Sequence, residues 1–252
     1  MRVIAIIPAA GLGTRMMSAP EVSGRAPKRP PAAKQFTELD GTPILIHTLR
    51  RFVAADSVHE IYLALRSAEA QSFQPRLDEE KFRKPIHLVE GGEHRQHSVA
   101  NALAQVKAAP DDIVLVHDAV RPFVDSEIIG NVIAAAQKYG AAIAGVPAVD
   151  TIKQVDRTAD GAMIKATIPR ERVVMAQTPQ GFTFSVLKRA FDEAGADGFI
   201  GTDEASLVER AGHDVAVVMG SSRNIKITTL ADLELAEFFI SVENRRRASL
   251  TG

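Results

Sequence analysis

The sequence predicts an α/β fold with a mostly parallel sheet covered on both faces. Three observations lead there. Short β-rich runs alternate with amphipathic helical stretches. Those runs are apolar almost throughout rather than at every second residue. Glycines, charged residues and hydroxyls collect where the runs end, which is where open parallel sheets bind ligands.

Taken in order, "RVIAIIP" (2–8) is the first strand, and an amphipathic stretch over 43–55 follows a long proline-rich segment. "EIYLALR" (60–66) and "IHLVEG" (86–91) are the next two strands, and 96–108 has helical periodicity. "DIVLVHD" (112–118) precedes a helix over 125–139, and "AAIAGVPA" (141–148) forms the next strand. "VVMAQTP" (173–179), a helix over 183–194, a helix over 202–211 and "DVAVVMG" (214–220) complete the alternation. A last helix runs from about 230 to 246, with Thr229 as its cap. Two segments stand outside this alternation, 16–33 and 149–172. The second carries Asp160-Gly161 between "TIKQV" and "AMIKATI", a β-hairpin signature, and a hairpin with so little core of its own suits a dimerisation arm. The expected organisation is one domain over 1–252 with that arm at about 148–173.

Composition narrows the function. The 252 residues are 46% hydrophobic and 24% charged with a net charge of -1, which suits a globular protein and disfavours general nucleic-acid binding. The absence of cysteine excludes disulfides, thiolate nucleophiles and Cys-ligated metals. No apolar run reaches the roughly 18 residues of a membrane span, and the expectation is a cytoplasmic protein with no membrane partner.

The strand ends carry the chemistry. After the first strand come Ala9, Ala10, Gly11, Gly13 and Arg15. The Gly-x-Gly lacks the third glycine of a dinucleotide fingerprint, since Met16 stands there, and no Gly-Lys-Ser/Thr of a phosphate loop follows. What remains is a small-residue turn whose N–H groups could approach a phosphate, with Arg15 adding a fixed positive charge; a merely tight structural turn is the alternative. Gly91, Gly92, Glu93, Arg95 and Ser98 follow "HLVE", His117, Asp118 and Arg121 follow "IVLV", and Gln177, Thr178 and Gln180 follow "VVMA". A carboxylate at Asp118 must be paired, bind a cation or accept substrate hydroxyls, and an Asp–Arg structural pair fits the spacing nearly as well. "SSRNIKIT" places Asn224 and Lys226 on a short strand, where Lys226 alone reads as a solvated edge charge. Thr202 and Asp203 open a helix, where capping is the default role. "RRR" at 245–247 reads as complementing the last helix's C-terminal dipole. The whole is a glycine-lined strand end ringed by cations, without a Ser-His-Asp order or a carboxylate cage. That suits a polyphosphate with Mg²⁺.

Together "IIPAAGLGTRM…KQF", "GGEHRQHSV", "VLVHDAVRPF", "VPAVDTIK", "QTPQGF", "TDEASLVERAG" and "NIKIT" resemble the 2-C-methyl-D-erythritol 4-phosphate cytidylyltransferase family over about residues 3–240. The resemblance implies a Rossmann-like nucleotidyltransferase domain whose β-arm embraces the partner of a homodimer. It implies transfer of CMP from CTP to methylerythritol phosphate with release of pyrophosphate. It further implies that Ala9, Ala10, Gly11 and Gly13 line the nucleotide, with Gly92, Glu93 and Ser98 around cytosine and ribose. Arg15 and a loop lysine would neutralise the triphosphate. Asp118, Arg121, Thr178 and Thr202 would hold the acceptor or the shell of a Mg²⁺ carried mainly by CTP, and Lys226 would position the attacking phosphate. Thr151 and Arg170 would reach the partner's site. Two departures stand out: a long insertion before Ala33-Lys34, and Glu93 where the family commonly has aspartate. Two rival readings are a cytidylyltransferase for ribitol 5-phosphate and a non-catalytic nucleotide-binding module.

The insertion leaves two candidates for the loop lysine, Lys28 in "APKRP" and Lys34 in "AAKQF". A catalytic cation must occupy a reproducible place. Phe36 and Leu39 can anchor Lys34, whereas nothing apolar flanks Lys28, so Lys34 is the expected residue. Lys34→Ala is expected to lower the rate of pyrophosphate release from CTP by about 10²–10³-fold, the usual loss for one transition-state donor. Lys28→Ala is expected to change it little, and steady-state kinetics on the two variants separates the assignments.

Overall fold

The computed structural model describes residues 1–11, 33–159 and 161–251. Gly13, Arg15, Lys28 and Asp160 lie outside the described residues, as does nearly all of the 16–33 insertion.

The core follows from β1 (Val3–Pro8), a buried run whose alternate residues enter two different clusters. Val3, Ala5 and Ile7 face one layer; Ile4 and Ile6 face the other. This is why the strand is apolar at every position: each face needs its own cover, and each fully buried Ile adds roughly 2 kcal/mol. The first layer holds α1 (Ile44–Ala54), α2 (Ser67–Glu80) and α4 (Ser126–Tyr139). The second holds α3 (Arg95–Gln105), α5 (Phe184–Asp197) and α6 (Glu204–Arg210). Leu39, Ile44, Phe123, Ile227, Ala236 and Ile240 form a third cluster, which seats α7 (Leu230–Thr251) beside the short pair β2 (Glu38–Leu39) and β3 (Thr42–Pro43).

The main sheet has seven strands. From one edge they are β11 (Ala216–Met219), β7 (Ala141–Pro147), β10 (Val174–Thr183), β6 (Ile113–Val116), β1, β4 (Glu60–Leu65) and β5 (Ile86–Glu90). All its pairings are parallel except the two made by β10, which runs antiparallel to both neighbours. The cause lies in the chain path. β7 ends at the carboxyl rim, and the chain leaves there as a hairpin of β8 (Ile152–Thr158) and β9 (Gly161–Ile168). It returns to the same rim through a turn of 3-10 helix at Arg170–Arg172, so the next strand can only run back down.

This corrects one strand reading. The strand expected over 173–179 continues to Thr183, so Gln177, Thr178 and Gln180 do not follow it but lie within it. They reach the rim because β10 is reversed, and its register shifts between Ala176 and Gln180, where Pro179 interrupts the ladder.

Other departures have local reasons. α2 escapes the sequence pattern because it buries only Phe73 and Leu77 and carries Pro75 inside; the proline is exposed, so water can serve the carbonyl it leaves unpaired. The stretch 224–228 is not a strand, and Ile227 N donates to Val120 O at 3.0 Å. α7 runs on to Thr251, which places Arg245 and Arg246 within the helix and not in its last turn, so the dipole reading fails. Its start does follow expectation: Thr229 Oγ1 accepts from Asp232 N at 3.2 Å, and the Asp232 carboxylate accepts from Thr228 N and Thr229 N.

The turn after β5 is sterically fixed. Gly91 N donates to Leu65 O at 2.7 Å, and a Cβ on Gly91 would collide with the Cβ of Ala10 at the end of β1. Gly91→Ala should therefore force the two strand ends apart and destabilise the fold by about 1–3 kcal/mol, read as a lower urea midpoint. Gly130→Ala inside α4, where a Cβ meets nothing within 4 Å, should hold or raise that midpoint.

Candidate active site

Two hollows lie side by side on the carboxyl rim. The first is bordered by Pro8–Gly11 at the end of β1, Lys34, Gln35, Ser98 and the 226–228 segment. The second is bordered by Arg121, Gln177, Thr178, Gln180, Thr202 and Asp203. Arg95, Asp118 and Lys226 border both and form the partition between them.

The first hollow is lined largely by main chain. Ala9 N donates to Ala64 O at 2.8 Å, and Arg66 Nε to Ala10 O at 2.9 Å. Gln35 Nε2 donates to Ala9 O at 2.5 Å and Gly11 O at 3.4 Å, which ties the Lys34–Phe36 turn to the end of β1. Phe36 packs against Phe73 with ring centres 5.0 Å apart and the rings tilted by 50°, and Leu39 is wholly buried, so the apolar flank of Lys34 is anchored. Lys34 Nζ donates to Thr228 O at 2.9 Å, across to the segment that carries Lys226. Gly92 N donates to Ser98 Oγ at 3.0 Å, closing the turn that leads into α3.

The partition is an ion cluster around one buried carboxylate. Asp118 Oδ1 accepts from Arg95 Nε at 3.0 Å, and Oδ2 accepts from Lys226 Nζ at 2.9 Å and Arg121 Nε at 3.3 Å. Burial alone would raise the Asp118 pKa, but Arg95, Lys226 and Arg121 outweigh it and hold the carboxyl far below the usual range. Arg95 Nη1 also donates to Glu204 Oε1 at 2.6 Å. Burial raises the Glu204 pKa and Asp118 adds to this, against the pull of Arg95. Arg121 Nη1 continues to Asn224 O at 2.7 Å, and Asn224 Nδ2 donates to Thr178 O at 2.8 Å.

The second hollow rests on a buried relay. His117 Nε2 lies 3.1 Å from Arg121 O, which assigns the proton to that nitrogen. Thr178 Oγ1 then donates to His117 Nδ1 at 3.1 Å and accepts from Asp118 N at 3.0 Å. Gln180 Nε2 donates to Asp203 Oδ2, and Asp203 caps α6 by accepting from Ser206 N at 3.0 Å.

Of the expected site residues, Ala9, Ala10, Gly11, Lys34, Ser98, Asp118 and Lys226 border the first hollow, and Arg121, Thr178 and Thr202 the second. Gly92 stands behind Ser98. Glu93 is exposed and borders neither, so a cytosine or ribose contact from its side chain is not supported by its placement. Thr151 and Arg170 are exposed at the base of the hairpin and border neither hollow of their own chain; Arg170 Nη1 donates to Val149 O. Lys226 proves to be no solvated edge charge. Sequence reasoning overlooked Glu204, hidden behind the capping reading of "TDEAS"; Gln180 and Arg95 were visible as motif members, but not their contacts with Asp203 and with Asp118 and Glu204.

Asp118 does not fit as a metal ligand. Both its oxygens already accept from cationic donors, and three cations within 3.3 Å would repel an arriving dication. Among the described residues no group of three or more His, Asp or Glu could hold an ion, so these side chains do not build a resident metal site.

Comparisons with known proteins show which family the chain resembles in sequence and fold. The family model described as "IspD: 2-C-methyl-D-erythritol 4-phosphate cytidylyltransferase" matches residues 3–242. The chain is 55% identical to a 2-C-methyl-D-erythritol 4-phosphate cytidylyltransferase of Acidobacterium capsulatum, covering 98% of this chain and 100% of the relative. It is 50% identical to the protein so named in Solibacter usitatus, covering 98% of each. The crystal structure of a 4-diphosphocytidyl-2C-methyl-D-erythritol synthase from Anaerococcus prevotii superposes with a TM-score of 0.77 at 30% identity, covering 95% of this chain and 98% of that one.

The relay under the second hollow has a pH signature. Burial pushes the His117 imidazole down to about 4 from an ordinary 6.5. The folded state therefore binds this proton less readily than the unfolded state. Its contribution to stability is full above pH 6.5 and is lost as pH falls from 6.5 towards 4, about 3 kcal/mol in all. Urea unfolding at pH 7 and pH 4.5 should show that loss in the parent chain and a much smaller one in His117→Gln.

Proposed function

The chain belongs to the 2-C-methyl-D-erythritol 4-phosphate cytidylyltransferase family, and on that premise we propose how its cleft performs the reaction. The enzyme transfers CMP from CTP to 2-C-methyl-D-erythritol 4-phosphate, giving 4-diphosphocytidyl-2-C-methyl-D-erythritol and pyrophosphate. One observation carries the mechanism: two hollows share a cationic wall of Arg95 and Lys226 held by Asp118.

CTP occupies the first hollow, and a Mg²⁺ brought with its triphosphate would offset part of the negative charge there. The methylerythritol phosphate occupies the second, beside Arg121, Thr178 and Thr202. An oxygen of its phosphate attacks the α-phosphorus of CTP in line, a new P–O bond forms, and the bond to the β-phosphate oxygen breaks to release pyrophosphate. The nucleophile is largely dianionic near neutral pH, its second pKa being about 6, so no general base is needed. His117 is in any case buried and committed to its relay. The obstacle is repulsion between two anions. Lys34 on the triphosphate side, and Lys226 with Arg121 on the acceptor side, offset it, and the family resemblance assigns Arg15, outside the described residues, to the same task as Lys34.

The enzyme acts as a cytoplasmic homodimer. Support for the dimer comes from the hairpin, where Val155, Met163 and Ile164 lie exposed, the last two at 68% and 66%. Thr151 and Arg170, which miss their own cleft, are assigned to the partner's cleft, making the arm part of a composite site.

The test is pyrophosphate release from CTP and Mg²⁺ with either 2-C-methyl-D-erythritol 4-phosphate or ribitol 5-phosphate. Strong turnover with the first alone is the expected outcome. Turnover with ribitol phosphate would keep the chemistry and overturn the acceptor. CTP binding without release on either would leave a nucleotide-binding module.

A further inference from the structure

We infer that Glu204 is a positioning residue for the transfer step, which fixes Arg95 in the partition and thereby leaves Lys226 poised on the acceptor side. This deepens the function proposed above and rests on it.

Glu204 is the first residue of α6 and only 1% exposed. The helix start does not need its carboxylate: Asp203 accepts from Ser206 N, and Gln180 Oε1 accepts from Ala205 N at 3.0 Å. Its Oε1 takes the 2.6 Å contact with Arg95 Nη1, while its Oε2 is buried with no hydrogen-bond partner among the described residues. A carboxylate kept solely to brace two helices would have both oxygens satisfied, because an unpaired buried oxygen is costly. Here the position retains a half-satisfied carboxylate whose side-chain partner is the guanidinium shared by both hollows.

Arg95 is thus held from two directions, by Nη1 to Glu204 and by Nε to Asp118. It rises from α3, beside the nucleotide hollow, and Glu204 from α6, beside the acceptor hollow, so the pair also ties the two halves together. Without the Glu204 charge, the guanidinium would be free to turn and grip Asp118 through two N–H groups, its preferred geometry on a carboxylate. Asp118 Oδ2 would then hold Lys226 less firmly, and the cation facing the attacking phosphate would lose its fixed place. The consequence falls on turnover rather than on CTP binding.

The experiment compares Glu204→Gln, Arg95→Lys and the double variant by steady-state pyrophosphate release, with CTP affinity and site stoichiometry from calorimetry. Expected are a kcat about 30–100-fold lower for Glu204→Gln, a KM for CTP within about threefold of the parent, and a double variant no worse than the poorer single one. The inference is overturned by kcat retained within threefold, by losses that multiply in the double variant, or by full turnover per CTP-competent site in a partly unfolded population. If Glu204→Gln does not fold, Glu204→Asp serves: it keeps the charge but shortens the reach, so about a tenfold loss of kcat with unchanged CTP affinity is expected, and undiminished kcat overturns the inference. A parent chain that releases no pyrophosphate would instead overturn the proposed function itself, so the two failures are distinct.

Discussion

The rim of this protein is organised around a single requirement, that the charge of Asp118 be compensated where water cannot do it. A buried carboxylate without partners would neutralise itself by taking up a proton. Three cations prevent this, and each comes from a different part of the chain: Arg95 from the start of α3, Arg121 from the loop after β6, Lys226 from the segment before α7. Stripping one partner from a buried ion pair typically costs about 3–5 kcal/mol, because the remaining charge is left uncompensated. The cluster therefore couples the position of three peripheral segments to one another. Arg121 extends the coupling through Asn224 to Thr178, and Thr178 returns it to Asp118 through its hydroxyl and the backbone N–H.

The backbone makes that cluster possible. β6 stops at Val116; His117 N still donates to Ile6 O of β1 at 3.0 Å, and Asp118 is the first residue beyond that bond, at the carboxyl rim. Gly91 lets the turn after β5 lie against Ala10, which brings α3 and its Arg95 alongside β1. The reversal of β10 then delivers Thr178 and Gln177 to the same rim from the opposite direction. A strictly parallel sheet would have carried those residues to the far end of the strand. The hairpin that forces the reversal is thus as important to the site's geometry as to any contact it makes with a second subunit.

What could be read from the sequence divides along the same lines. Features whose cause is local were legible. The doubly covered strand shows in "VIAIIP", the hairpin in Asp160-Gly161, and the anchored lysine turn in Phe36 and Leu39; the cap of α7 shows in Thr229. Features whose cause is distant were not. The direction of β10 depends on where a hairpin returns the chain. α2 buries only two residues fully, Phe73 and Leu77, and its Glu80 is gripped by Arg50 from 30 residues away. The contact of Arg95 with Glu204 joins positions 109 residues apart, and that of Lys34 with Thr228 joins positions 194 apart. No periodicity records such pairs, and a capping residue such as Asp203 draws attention away from the carboxylate next to it.

Two buried carboxylates at the centre of a cleft meant for anions look contrary to purpose, and the resolution is electrostatic preorganisation. Arg95, Arg121 and Lys226 carry three positive charges within hydrogen-bond reach of one carboxylate. Left to themselves they would repel one another and disperse into solvent, and a substrate would have to gather them. Asp118 and Glu204 gather them during folding instead, so the reorganisation is complete before any phosphate arrives. Two carboxylates against three cations still leave the partition positive, with Lys34 adding to it from the nucleotide side. The site is therefore attractive to a phosphate and rigid at the same time, a combination that cations alone could not supply.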